Sequence, residues 1–155
     1  MATLLLGGGA ASPARPAPGA RVTANGVTVV VTLLPAADGG RELRATFSPR
    51  RAGFHVYSID LPDGGIDGLG IPTRLSVRGG LTAEGRPTAD RTVVGLRPAG
   101  LPTELPVYPD GPVTFTLPVR PTGSDEADVV VSYGACGASR CLMPVTDEVI
   151  RLRLG

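Results

Sequence analysis

Lysine and tryptophan are missing from this chain of 155 residues, histidine occurs once, as His55, and aromatic residues make up only 4%. All 15 strongly basic residues are arginines, set against 14 acids, and the formal charge is +1. A charge this close to neutral removes the electrostatic case for nucleic acid or an anionic membrane surface as a partner. One histidine supplies neither a two-histidine metal site nor a spare general base. No apolar run approaches the roughly 18 residues of a spanning helix, so no direct membrane span is expected. No glycine-rich loop opens a helix, which excludes a phosphate cradle of the usual kind. Nothing in the composition calls for a cofactor.

What the chain has in quantity is glycine, 22 residues, and proline, 16. They fall between short apolar runs and read as turns. Residues 27–34 are β-branched and apolar. Leu43, Ala45 and Phe47 alternate with polar neighbours, as do Val113, Phe115, Leu117 and Val119. Further strand-like stretches cover residues 54–59, 73–78, 92–96, 129–133 and 148–154. Alternation of period two puts one face inward and one outward. No stretch of 10–12 residues holds a helical period without a Pro or Gly cutting it. About eight short strands predict an all-β, antiparallel sandwich or barrel in a single domain. Pro118 within its strand predicts an edge position or a bulge. Residues 98–112 hold five prolines and read as a stiff loop. Asp125, Glu126 and Asp128 read as a solvated turn. Residues 1–20 differ from the rest: Leu4, Leu5 and Leu6 lead into small residues and prolines. They are expected to be a disordered leader or a signal-peptide remnant preceding a domain over residues 21–155, which points towards export.

The two cysteines are the informative feature. They stand as Cys136-Gly137-Ala138-Ser139-Arg140-Cys141, and four intervening residues rich in small side chains can fold back to bring the sulfurs together. Spacing alone leaves open a structural staple and a redox pair. As a staple, closing so short a loop stabilises the fold by only about 2 kcal/mol. Arg140 places a fixed positive charge beside Cys141, which favours its thiolate, although a solvated loop arginine explains it equally. Pro144 would stiffen the loop exit, and Leu142, Met143 and Pro144 offer an apolar surround to the sulfur, or ordinary packing.

These residues carry a resemblance. The run from Val129 through Tyr133 to Cys136, followed by Cys141-Leu142-Met143-Pro144, resembles the active-site region of the N-terminal periplasmic domain of the thiol:disulfide interchange protein DsbD. Residues 105–119 and the Gly53-Phe54-His55-Val56-Tyr57 segment resemble its neighbouring strands, so that the likeness spans roughly residues 40–154. It implies an immunoglobulin-like sandwich in the periplasm. It also implies a cysteine pair relaying electrons from a thioredoxin-like domain or membrane reductase to other extracytoplasmic oxidoreductases, cytochrome c biogenesis among the settings. Cys141 would form the mixed disulfide and Cys136 would resolve it. Tyr133, His55 and Tyr57 become site candidates, and Leu101, with Ala99 and Gly100, falls where that domain carries a shielding cap. The acids and the aromatic of that cap are absent here.

Two other readings compete. A sandwich can be a binding module whose disulfide is inert, since the fold itself does not select a function. Cys136, Cys141, Met143 and His55 are also soft enough ligands for a Cu(I) carrier.

Overall fold

The computed structural model of the chain describes Gly9 and residues 16–155. The expected leader lies for the most part outside the described residues. The first strand, β1 (Gly19–Ala24), turns through Asn25 and Gly26 into β2 (Val27–Pro35). Both turn residues have positive φ, 46° and 78°, the geometry that suits an Asn-Gly pair and matches the twist of the flanking strands. A short 3-10 turn, Ala37–Gly39, leads to β3 (Arg41–Pro49). Then follow β4 (His55–Val56), β5 (Arg74–Gly79), β6 (Leu81–Ala83), β7 (Thr88–Ala89), β8 (Val94–Leu96) and β9 (Leu105–Val107). The last four are β10 (Val113–Pro121), β11 (Glu126–Tyr133), β12 (Ala135–Cys136) and β13 (Val145–Arg153).

All pairings between these strands are antiparallel. One sheet runs β1-β2-β3-β10-β6, with β7 also on β10; a second runs β13-β11-β5. The alternation seen in the sequence decides which side chains meet between them. Val27, Val29, Val31, Leu43, Ala45, Phe47, Val113, Phe115, Leu117 and Val119 point inward from the first sheet. Ala127, Val129, Val131, Ile150 and Leu152 answer from the second, all of them buried. Phe47 lies edge-on to Phe115 at 5.3 Å and to Tyr133 at 5.6 Å, arrangements that aromatic quadrupoles favour. The protein is an all-β sandwich of antiparallel sheets, as expected.

The outward face of the second sheet is ionic. Asp128 accepts from Arg78 at 3.2 Å and from Arg151 at 3.1 Å, and Glu126 pairs with Arg151 and Arg153. The hydrogen bond from Arg78 is the main cause holding the Asp128 carboxyl below its ordinary range, with Arg151 adding to it. Glu126 and Asp128 therefore belong to strand β11, where the cross-strand arginines give them partners, while Asp125 stays in the exposed bend that precedes it.

Three other expectations are modified. Pro118 sits in β10 between β3 on one side and β6 and β7 on the other. Its carbonyl accepts from Glu84 N–H, so its nitrogen faces the gap between β6 and β7, where no donor is required. That interruption takes the place of an edge or a bulge. The expected strand over residues 54–59 narrows to β4, and the proline-rich segment contains β9, a strand of three residues.

Candidate functional site

At one end of the sandwich the long strands give way to short ones. β11 ends at Tyr133, and Gly134 passes so close to Ile71 that an added Cβ would lie 2.7 Å from its Cδ1. The chain then enters β12, where Ala135 faces Val56 and Cys136 faces His55. A bridge between Tyr57 and Val107 continues this pairing to β9, and β9 pairs with β8. The backbone ladder is reinforced by Ser58 N–H donating to Pro106 O at 3.0 Å and Tyr108 N–H to Val56 O at 3.0 Å.

The four residues between the cysteines form the tip of a tight hairpin. Gly137 N–H donates to Arg140 O at 2.8 Å, and Leu142 N–H to Ala135 O at 2.9 Å. Cys136 and Cys141 face each other across it with Cα atoms 4.0 Å apart, and their sulfurs are bonded. Gly137 is needed here: a Cβ would stand 2.9 Å from the Phe54 ring.

The two cysteines differ in access. Cys136 is 3% exposed, packed with Tyr57, Leu61, Leu105 and Val107. Cys141 is exposed. The buried sulfur accepts a hydrogen bond from the Tyr57 hydroxyl at 3.3 Å. Burial pushes that hydroxyl's pKa above the ordinary 10.0, so it stays protonated and remains a donor. Thr73 Oγ1 fixes the Tyr57 backbone by donating to its carbonyl at 2.6 Å.

A cleft of about 750 Å³ opens beside the pair. Residues 97–104, between β8 and β9, overhang it, with Leu96, Arg97, Ala99 and Leu101 on its wall. This overhang is held by an Arg97–Glu104 ion pair at 3.6 Å and by Thr103 Oγ1 donating to Asp67 at 3.0 Å. His55 and Tyr57 line the cleft on the side of Cys136, and Arg140 lines it from the hairpin tip. His55 is 5% exposed, its Nδ1 lies 3.4 Å from Asp110 Oδ1, and its buried Nε2 has no hydrogen-bond partner among the described residues.

Of the residues singled out in the sequence, Cys136, Cys141, His55, Tyr57, Arg140 and Leu101 come together around the cleft. Met143 follows Cys141 on the surface at 76% exposure, and Pro144 is exposed with its carbonyl facing Asn25. Neither lines the cleft. Tyr133 turns into the sandwich core, its hydroxyl donating to Ala24 O at 3.0 Å. Burial, with a smaller contribution from Glu148, pushes its pKa up to about 12. Asp110, Arg97, Leu69 and Gly70 were not anticipated. They reach the site from loops with no periodicity, and only the fold brings them near the cysteines.

No protein-family model matches the sequence, and no curated protein matches it. Among solved structures, the fold is similar to the N-terminal periplasmic domain of ScsB from Proteus mirabilis. The two share 15% identity at a TM-score of 0.63, over 90% of this chain and 52% of that one. At this identity the likeness establishes the fold. ScsB is a DsbD-like protein. The chain spans about half the length of the ScsB domain it matches. The Cys136–Cys141 disulfide stands beside the cleft on this fold.

Proposed function

We propose that this chain is an extracytoplasmic thiol–disulfide exchange domain. It takes electrons from a thioredoxin-like domain or membrane reductase and passes them to other extracytoplasmic oxidoreductases through Cys136 and Cys141. The observation that carries this reading is the unequal access of the two sulfur-bearing residues beside an open cleft: Cys141 exposed, Cys136 3% exposed. A staple has no use for that asymmetry, whereas exchange requires one sulfur that a partner can reach and one that it cannot.

The chemistry follows from access. A donor thiolate attacks Cys141 Sγ, the Cys136–Cys141 bond breaks, and Cys136 leaves as a thiolate that accepts from the Tyr57 hydroxyl. The donor's second thiolate then attacks its own sulfur in the mixed disulfide, releasing Cys141 reduced. In the second half, Cys141 attacks an acceptor disulfide, and Cys136 attacks Cys141 Sγ to release the acceptor reduced. Two electrons enter and two leave. An oxidising or actively poised compartment such as the periplasm suits a pair that must cycle.

The test is equilibration against a thioredoxin-like protein, with the redox state of the pair read by mass spectrometry. A potential between about −180 and −270 mV is expected, together with a mixed disulfide trapped by Cys136→Ser and not by Cys141→Ser. A potential below about −300 mV with nothing trapped would make the bond a staple and the domain a binding module. For the Cu(I) alternative, titration of the reduced protein showing no stoichiometric Cu(I) binding dismisses it.

A further inference from the structure

His55 is the only histidine in the chain, and simple packing does not account for how it is held. It stands directly opposite Cys136 in the β4–β12 pair. Residues so placed share one face of the pair, with Cβ atoms about 4.5–5.5 Å apart. Tyr57, two residues along, shares that face, its ring edge-on to the imidazole at 5.9 Å between centroids. The Asp110 carboxylate next to Nδ1 fixes the tautomer: Nδ1 carries the hydrogen and donates, leaving Nε2 with a free lone pair. That lone pair is buried without a partner on a residue that lines the cleft. A buried polar atom left unsatisfied is costly and calls for an explanation. In the disulfide state Cys136 has no proton to offer; in the reduced state it gains one.

We propose that His55 Nε2 is the acid–base group for the Cys136 thiol, an inference that rests on the exchange function proposed above. In the mixed disulfide between Cys141 and a partner, Cys136 is a thiol in an enclosed site, where burial disfavours its ionisation. Its proton passes to His55 Nε2, and Asp110 stabilises the resulting imidazolium through Nδ1–H. The Cys136 thiolate, accepting from Tyr57, attacks Cys141 Sγ. The Cys136–Cys141 bond forms, the bond from Cys141 to the partner breaks, and the partner leaves as a thiolate that takes up the imidazolium proton. Counted from the dithiol over both exchanges, the protein pair is oxidised by two electrons and the partner disulfide is reduced by two. The charged and titratable groups around this step are Asp110 on Nδ1, Tyr57 on the buried sulfur, and Arg97 and Arg140 on the walls of the cleft. Both arginines favour the thiolate, and Arg97 is partly neutralised by Glu104.

The experiment uses glutathione disulfide as the probe, so that no protein partner is needed. Reduced protein is mixed with the probe, and the release of glutathione from the Cys141 mixed disulfide is followed across a range of pH. His55→Asn keeps a donor near the Nδ1 position and removes Nε2. It is expected to slow release roughly a hundredfold near neutral pH and to converge on the unsubstituted protein at alkaline pH, where Cys136 ionises unaided. Slowing by the same factor at every pH would overturn the proposal, because a merely structural residue gives that result. A second readout needs no substitution. As the sole histidine, His55 gives unique imidazole nitrogen resonances, and these are expected to move when the pair is reduced with dithiothreitol, but not in Cys136→Ala treated identically. Resonances that stay in place in the unsubstituted protein would also overturn it. Failure to exchange with thioredoxin-like proteins, with the glutathione profile as expected, would defeat the relay and leave the role of His55 standing.

Discussion

The body of the sandwich and its cysteine-bearing end are built on different terms. In the body, β2, β3 and β10 are nine residues long, and their inward side chains alternate strictly with outward ones. At the other end, β4 and β12 are two residues each, and β8 and β9 three. Stability in the body comes from apolar area, which accumulates with strand length. Geometry at the site comes from a few backbone hydrogen bonds, a small cluster around Cys136, and the ion pair and hydrogen bond that hold the overhang. Regions with so few buried contacts open at low cost. The contrast separates the functions of the two regions. The body can hold the fold while the end exchanges covalent partners, provided that the two are weakly coupled.

The largest test of that separation removes an aromatic from the body. Phe115 is fully buried between Phe47 and Tyr108. Phe115→Ala is expected to cost about 3–5 kcal/mol of stability, read from urea unfolding. The potential of the Cys136–Cys141 pair in the remaining folded protein should stay where it was. A potential that shifts along with stability would mean that the body tunes the site and that the two regions are one cooperative unit.

The same contrast explains what could be read from the sequence. The body was legible because its signal is local: alternation at Leu43, Ala45 and Phe47, or from Val113 to Val119, declares a strand and its inner face together. The cysteine hairpin was legible from its small intervening residues. β1 was missed although Asn25-Gly26 is a hairpin signal, because the apolar members of its alternation, Ala20, Val22 and Ala24, are small and only partly buried. β9 was hidden by prolines: Pro106 accepts from Ser58 through its carbonyl and needs no N–H. Tyr133 looked like a site residue because it precedes the cysteines in the chain. The strand's alternation, followed by Gly134, instead turns it into the core while Cys136 turns to the cleft. Asp110 and Leu69 meet the site only through tertiary contacts, for which no sequence period exists.

Tyr133 offers an intermediate test, since it joins the body to the approach of the site. Its pKa is raised from 10.0 to about 12, chiefly by burial. The folded state therefore favours the neutral phenol. The stability this represents is present in full below pH 10 and is lost as the pH rises from 10 through about 12. Tyr57 and Tyr108 are raised in the same direction by burial, so the alkaline loss is shared among all three tyrosines. Tyr133→Phe is expected to lower stability at neutral pH by about 1 kcal/mol through the lost bond to Ala24, and to make the decline above pH 10 shallower. Urea midpoints at pH 8 and 11 measure both effects. An equally steep decline in the variant would assign the alkaline sensitivity to the other two tyrosines and remove Tyr133 from the account.

The smallest expected effect is the sharpest probe of the boundary. The Tyr57 hydroxyl makes one polar contact with Cys136 Sγ, at 3.3 Å, while its ring packs in the small cluster with Leu61, Leu105 and Val107. Tyr57→Phe keeps the ring and deletes the donor. A disulfide sulfur accepts weakly and a thiolate strongly, so the loss falls mainly on the reduced state in which Cys136 is ionised. Destabilising the reduced form makes the pair harder to reduce. At about 1 kcal/mol for the bond, the potential should become more negative by about 20 mV, and most clearly at alkaline pH, where the thiolate is populated. The unfolding midpoint of the oxidised protein should hardly move, because the bond to the disulfide sulfur contributes little to folding. A lowered midpoint with an unchanged potential would reverse the assignment. The hydroxyl would then serve the fold, and the boundary between body and site would lie on the far side of Tyr57, at Cys136 itself.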